Sequence, residues 1–253
     1  MLVSNDITKL RSQFLFADHL VLDESPTRDF YKELLRGLAH KNNNVLAVVQ
    51  GFSSLILMND LDDNTRENIE QMRSSSQHSS SLSERILTAG GCARISSQSL
   101  NLADFFPLMD GNLRSICDEH EVGFTLNVAD GLAPITADTS RLKEVLVELV
   151  KNGAEAAKED PAGHVQLDVL ASGILSPESE DRVDIVIRNN GPTIKEDRLP
   201  EIYKPFFSTK GSEYFGIGLT TAGVLAGQMK MRLGIASGDG ITTAWLSAPI
   251  EKS

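Results

Sequence analysis

The stretch from Leu35 to Ile56, LRGLAHKNNNVLAVVQGFSSLI, constrains this chain more than any other. With the residue before it, apolar side chains fall at Leu34, Leu35, Leu38, Val45, Val48, Val49, Phe52, Leu55 and Ile56. That spacing draws a wide apolar stripe along one α-helix, and such a stripe has to be covered by something. His40 and Asn44 fall in a polar break of the stripe one helical turn apart, so their side chains share a face. A lone histidine on a helix is more often structural than chemical. What gives this one weight lies far downstream.

Ser25-Pro26 opens the helix: serine can cap orphan amides, proline tolerates the first turn, and Asp29 suits the helix dipole. The helix is expected to run to about Met58, where Asn59 to Asn64, NDLDDN, makes a polar turn. A second helix follows with Ile69, Met72, Leu82, Ile86 and Leu87 on its apolar side, a serine-rich middle from Ser74 to Ser83, and a stop at Gly90-Gly91. Two helices of this length form an antiparallel hairpin about 45 Å long. A hairpin alone cannot cover both stripes, so pairing with a second copy into a four-helix bundle is expected. The alternative is that the stripe packs on the chain's own second domain.

From Ser97 onward strands and helices alternate. Val122 to Ala129, His164 to Leu170, Val183 to Arg188, Lys230 to Ile235 and Ile241 to Leu246 read as strands; Phe105 to His120 and a helix capped at Asp138, burying Leu142, Val145, Leu146 and Leu149, read as helices. Ser172 to Asp181 reads as a solvated hairpin loop. The fold class is α+β: an N-terminal antiparallel helical hairpin forming a dimeric four-helix bundle, then a two-layer α/β sandwich. The expected division is an N-terminal arm over 1–24, the hairpin over 25–95 and the sandwich over 96–253.

A net charge of -11 leaves no basic surplus for the phosphates of DNA or RNA, so no nucleic-acid partner is expected, although a nucleotide site, being local, is not excluded. Cys92 and Cys117 show neither metal-ligand spacing nor a disulfide framework and read as two ordinary thiols of a reducing cytosol. The opening MLVSNDITKLRSQF lacks the layout of a signal peptide, and no apolar run approaches the ~20 residues that cross a bilayer, so the expectation is a cytoplasmic chain without a membrane segment.

Inside the capped helix lies ELVKNGAEAA, Glu148 to Ala157. Glu148 and Asn152 face the same way and offer one carboxylate and one amide oxygen, enough for a water and a Mg²⁺ bound to phosphates, with Asn152 as the metal ligand. By itself such a pair is also an ordinary helix surface. A strand then ends in RNNGPTI, Arg188 to Ile194, where Gly191 lets backbone approach a flat base. Lys204 to Gly227 joins an aromatic pair, a flexible link and a Gly-x-Gly that opens a helix, whose amides favour phosphate oxygens. A lone GIG is weak; the ordered set is strong.

In that order the motifs resemble those of the two-component sensor histidine kinases, over residues 26 to 250 or so. His40 with Asn43-Asn44 is similar to the phosphoacceptor box, Glu148 and Asn152 to the N box, and Asn189 to Ile194, with Gly191, to the first glycine box. Phe206-Phe207 with Ser208-Thr209-Lys210 resembles the F box, and Gly216-Ile217-Gly218-Leu219 the second glycine box. The resemblance implies a dimerising, histidine-bearing hairpin, an α/β domain that binds ATP and Mg²⁺, and a response regulator receiver domain as partner. It makes Glu148, Asn152, Asn189, Gly191, Lys210, Gly216 and Gly218 the candidate nucleotide residues. The short link between Lys210 and Gly216 is similar to that of short-lidded kinases related to nitrogen-regulatory and cell-cycle sensors.

Three departures bear on one step. Where the family has an acidic residue after the histidine to take its proton, this chain has Lys41; lysine is protonated at neutral pH and cannot serve as that base. Where the family has an aspartate accepting from the adenine amino group, this chain has Asn189, a weaker neutral acceptor whose NH₂ needs its own partner. Thr193 and Tyr214-Phe215 add bulk near the base, and a crowded pocket is expected. Asn44 stands where the family's phosphatases place an amide or hydroxyl to orient water against an aspartyl phosphate. The expected function is movement of phosphoryl groups between His40 and an aspartate of a response regulator, or dephosphorylation of that regulator, through His40, Lys41 and Asn44, with weak or absent autophosphorylation from ATP. Two alternatives stand beside it: an active ATP-dependent sensor histidine kinase, and a non-enzymatic dimeric scaffold that binds regulators.

Overall fold

The computed structural model describes residues 14–20, 25–171, 182–211 and 214–251. The loop read at Ser172–Asp181 lies outside the described residues. Helix α1 (Pro26–Leu57) starts at an N-cap, Ser25, whose hydroxyl accepts from the Arg28 amide at 3.2 Å. Helix α2 (Asp63–Ala89) starts at Asp62, whose carboxylate accepts from the Thr65 amide at 2.9 Å and from its hydroxyl at 2.7 Å. Both caps satisfy amides that a helix start leaves open.

The two helices pack as a hairpin through a polar seam rather than through the apolar stripe. Ser76, Ser83 and Ser53 are buried. Asn42 donates to the Ser83 hydroxyl at 2.7 Å, Gln50 to Ser80 at 3.4 Å, and Ser76 to the Leu46 carbonyl at 3.1 Å. The serine-rich middle of α2 is therefore the surface that lets the helices approach. The stripe faces away: Leu38 is 64% exposed, Val45 63%, Val48 56% and Phe52 63%. The chain's own sheet does not cover it.

Beyond the hairpin come β2 (Gln98–Leu100), α3 (Leu102–Asp118), β3 (Gly123–Val128), β4 (Ile135–Ala137), α4 (Thr139–Ala157), β5 (His164–Leu170), β6 (Arg182–Asn189), α5 (Gly218–Gln228), β7 (Arg232–Gly238) and β8 (Ile241–Pro249). Ahead of the hairpin, Leu15–Phe16 forms a two-residue strand, β1. The main sheet has the order β1-β7-β8-β6-β5-β3; β3 and β5 run parallel, joined across α4, and the other pairs are antiparallel. A second, two-stranded sheet pairs β2 with β4. Helices α3, α4 and α5 pack on one face, where Phe106, Leu113, Leu142, Leu146, Leu167 and Leu246 are fully buried. The result is the mixed α+β fold expected, a helical hairpin followed by a two-layer sandwich.

Leu15–Phe16 belongs to this sheet, and residues 14–20 lie against the sandwich. Leu15 and Phe16 pair with Ile235 and Gly234, and Phe14 and Phe16 stack on Trp245 at ring distances of 5.2 and 5.8 Å. Arg232 lies over the Phe16 ring at 4.3 Å while its guanidinium donates to Asp18 at 2.5 Å. This apolar patch covers the sheet face opposite the helices.

The hairpin is tied to the sandwich at its base. Arg36 of α1 donates to the Cys92 carbonyl at 3.4 Å, and Gln228 at the end of α5 donates to the Gly91 carbonyl at 3.1 Å. No helix among the described residues is long and apolar enough to cross a membrane.

Candidate functional site

The structure places the singled-out residues in two groups. The first is on the hairpin. His40 is exposed on α1, and the Asn44 amide nitrogen lies 3.4 Å from its Nε2. With the amide donating, the ring is the Nδ1–H tautomer and Nε2 carries the lone pair. Lys41 is exposed beside it. Asn42 and Asn43 point elsewhere: Asn42 bonds to Ser83, and the Asn43 side-chain oxygen is buried without a partner.

The second group lines a cavity of about 970 Å³ between α4, the end of β6 and the segment leading into α5. Glu148, Asn152, Asn189, Lys210, Gly216 and Gly218 all line it; Gly191, buried beside Asn189, stands at the turn behind it. Glu148 and Asn152 are bonded to each other on one face of α4, amide nitrogen to carboxylate at 3.3 Å. Lys210 donates to the Asn152 oxygen at 3.2 Å and pairs with Glu155, a carboxylate 5% exposed. The Lys210 ammonium also stands 5.3 Å from the Tyr214 ring centroid.

On the opposite wall glycine is required at Gly216, and Gly218 makes a second close approach. Gly216 has φ +63, and a Cβ there would come within 2.6 Å of the Phe207 carbonyl. Gly218, the first residue of α5, rests directly on the Glu148 carboxylate. These close approaches bring the aromatic segment and the start of α5 together over α4, so backbone rather than side chains forms that wall.

Thr193, Tyr214 and Phe215, the residues expected to add bulk near the base, all line the cavity. Thr193 is exposed, and its hydroxyl accepts from the Gly240 amide at 2.9 Å, which turns its bulk toward the β7–β8 turn.

Three contributors had no signal in the sequence. Arg85 reaches from α2 to 3.5 Å from the Glu148 carboxylate, so the hairpin lends a cation to the cavity. Glu155 supplies the buried charge that anchors Lys210. Tyr203, 1% exposed, donates to the Leu15 carbonyl at 3.1 Å while its own carbonyl accepts from Thr220, fixing the segment before Phe206 to both β1 and α5. Burial pushes the Tyr203 phenol above its usual range, so it stays a donor. At the start of α4, Asp138 accepts from the Ser96 amide at 2.7 Å and from Ser140 and Arg141 at 3.0 and 3.1 Å. Those amides, Ser96 first, hold its carboxyl below the usual range and keep it a charged cap for the helix that carries Glu148 and Asn152.

The sandwich is similar to domains of known proteins. Residues 137–252 match the family described as histidine kinase-, DNA gyrase B- and HSP90-like ATPase. The chain is 26% identical over 249 residues to the sensor protein DegM of a Bacillus species, covering 97% of this chain and 62% of that protein. It is 33% identical over 139 residues to the sensor histidine kinase ZraS of Escherichia coli, covering 54% of this chain and 28% of the relative. It thus spans less than two thirds of the length of these relatives. Among solved structures, full-length ShkA in complex with AMPPNP superposes with a TM-score of 0.73 at 23% identity, over 87% of this chain and 46% of that one, which shows a common fold. Residues 137–252 thus form a domain similar to that ATPase family, and over most of its length the chain is similar to bacterial sensor kinases.

Proposed function

We propose that this protein moves phosphoryl groups between His40 and an aspartate of a response regulator receiver domain, or removes them from that aspartate, while drawing little phosphate from ATP. The observation that carries the reading is the exposed His40 ring with the Asn44 amide 3.4 Å from its Nε2. An exposed imidazole beside an exposed amide is presented to a partner rather than used in a core. In transfer, Nε2 leaves the Asn44 amide and attacks the phosphorus of the aspartyl phosphate, the bond to the carboxylate oxygen breaks, and the carboxylate leaves as the anion. In dephosphorylation, the Asn44 amide orients a water for the same in-line attack; inorganic phosphate and the free carboxylate result. Lys41, a cation on the next residue, suits contact with the phosphoryl oxygens in either direction and cannot act as the base that self-phosphorylation asks for.

Nucleotide binding is supported by the cavity, the Gly216 and Gly218 close approaches, and the unpartnered Asn189 amide described below. AMPPNP is the ligand named for ShkA. The Glu148 carboxylate and the Asn152 oxygen, on one face of α4, fit a Mg²⁺ that keeps most of its waters and would neutralise bound phosphate. Both groups already meet a cation, Arg85 and Lys210, which must yield or share them. A homodimer through the hairpin is supported by the exposed stripe, because contiguous apolar surface of that extent marks an interface.

The intact cavity favours a second reading, an active ATP-dependent kinase. Incubation with γ-labelled ATP and Mg²⁺ separates the two. The proposal expects little label on the wild-type chain, with phosphoryl exchange or loss from a phosphorylated receiver domain; strong labelling that His40→Ala abolishes would establish the kinase.

A further inference from the structure

Asn189 closes β6 at the edge of the cavity, facing the helix layer, and is 6% exposed. Its amide nitrogen is buried and has no hydrogen-bond partner. Among the described residues no group donates to the side-chain oxygen either, so turning the carboxamide over does not supply a protein partner. Glycine leaves room beside it: a Cβ on Gly191 would stand 2.8 Å from the amide nitrogen. Ile187, Ile235 and Ala244 give the surrounding wall an apolar character. A buried donor with neither protein nor solvent to receive it is costly, and a ligand carrying an acceptor relieves it.

We propose that Asn189 makes this nucleotide site accept 6-oxopurine nucleotides, the guanosine and inosine triphosphate class, as well as ATP. The inference rests on the nucleotide-binding reading and deepens it. A carboxylate at this position can only accept hydrogen bonds, so it selects a base that offers an amino group and repels a carbonyl oxygen. A carboxamide offers a donor and an acceptor side by side. The edge of a 6-oxopurine is its complement: the amide N–H donates to O6, and the amide oxygen accepts from N1–H. Turned over, the same group pairs with the amino group and ring nitrogen of adenine. The exchange of a charged acceptor for a neutral donor and acceptor thus widens the choice of base without changing the shape of the pocket.

The test is calorimetric titration of the full chain with the imido analogues of ATP, GTP and ITP in the presence of Mg²⁺, for the wild type and for Asn189→Asp. In the wild type, GTP and ITP analogues should bind within about tenfold of the ATP analogue; in Asn189→Asp they should fall about tenfold or more relative to ATP, the discrimination one paired base edge supplies. Binding of ATP with exclusion of both 6-oxopurines by the wild type would overturn this inference alone, as would a ratio unmoved in the variant. Binding of GTP without ITP would assign the contact to the 2-amino group and remove Asn189 from it. Failure of all three to bind would overturn the nucleotide reading as well. The wild-type ratio decides the matter by itself if the variant does not fold.

Discussion

The Arg85 guanidinium of α2 stands 3.5 Å from the Glu148 carboxylate of α4, so the helix that follows the histidine-bearing one supplies a positive charge to the cavity of the sandwich. The Arg85 side chain is 41% exposed, and a pair in that setting adds little to stability, under about 1 kcal/mol. Its effect falls on an anionic ligand instead. Arg85→Ala should leave the melting temperature nearly unchanged while weakening nucleotide binding about three- to tenfold at low salt, a difference that shrinks as added salt screens the charge. Titrations at two ionic strengths check this, and an equal loss at both would contradict it.

Lys210 has the opposite balance. Its ammonium pairs with Glu155, whose side chain is 3% exposed, and among the described residues Lys151 at 3.9 Å is the only other cation paired with that carboxylate. Lys210→Met leaves a buried charge largely uncompensated and should cost about 2–4 kcal/mol, the lower end reflecting Lys151. Glu155→Gln in the same chain should recover most of the loss. Urea denaturation of the two single variants and the double variant measures the coupling.

Gly216 should tolerate no side chain. Its φ of +63 strains any L-residue by about 1–2 kcal/mol, and the Phe207 carbonyl occupies the place of the Cβ. Gly216→Ala is expected to lower stability by more than that strain alone and to abolish nucleotide binding, because the aromatic segment must lift off α5. Calorimetry beside a thermal melt tests both parts.

Asp138 sets a pH limit on the sandwich. The Ser96 amide, then those of Arg141 and Ser140, hold its carboxyl below the usual range in the folded chain. The unfolded chain therefore binds a proton at higher pH than the folded one. The stabilisation is fully present above the ordinary carboxylate range and is lost as pH falls through the lowered folded value. Trp245 is the single tryptophan, 1% exposed, so its fluorescence reports unfolding. Asp138→Asn should flatten the acid limb of stability, and Asp138→Ala should cost about 1–2 kcal/mol at neutral pH.

The parts of the fold that were legible share a physical signature. The periodic stripe from Leu34 to Ile56 and the caps at Ser25 and Asp138 are local signals, and α1 and α4 follow them. His164–Leu170 reads as a strand to the residue because both of its ends are marked by polar turns. Strands β1 and β4 were not legible: two and three residues hold no period, and the room that Gly234 leaves for the Phe16 ring shows only once the strands are paired. The serine seam of the hairpin was missed for a related reason, since small hydroxyl side chains carry no hydrophobic signal until a second helix stands against them. The cavity residues were legible through their order along the chain. Arg85, Glu155 and Tyr203 were not, because each acts across a long separation in sequence and each is, taken singly, an ordinary residue of its element.

The central claim is that His40, with Asn44 beside it, handles phosphate carried by a receiver domain. The most direct measurement follows label on a purified receiver domain, phosphorylated on its aspartate by a small phosphodonor, after the wild-type chain, His40→Ala or Asn44→Ala is added. The account predicts that the wild type removes label from the receiver, that His40→Ala forms no acid-labile phosphohistidine, and that Asn44→Ala slows release of inorganic phosphate while still accepting label at His40. Loss of label from the receiver at the same rate with both variants as with the wild type would contradict it.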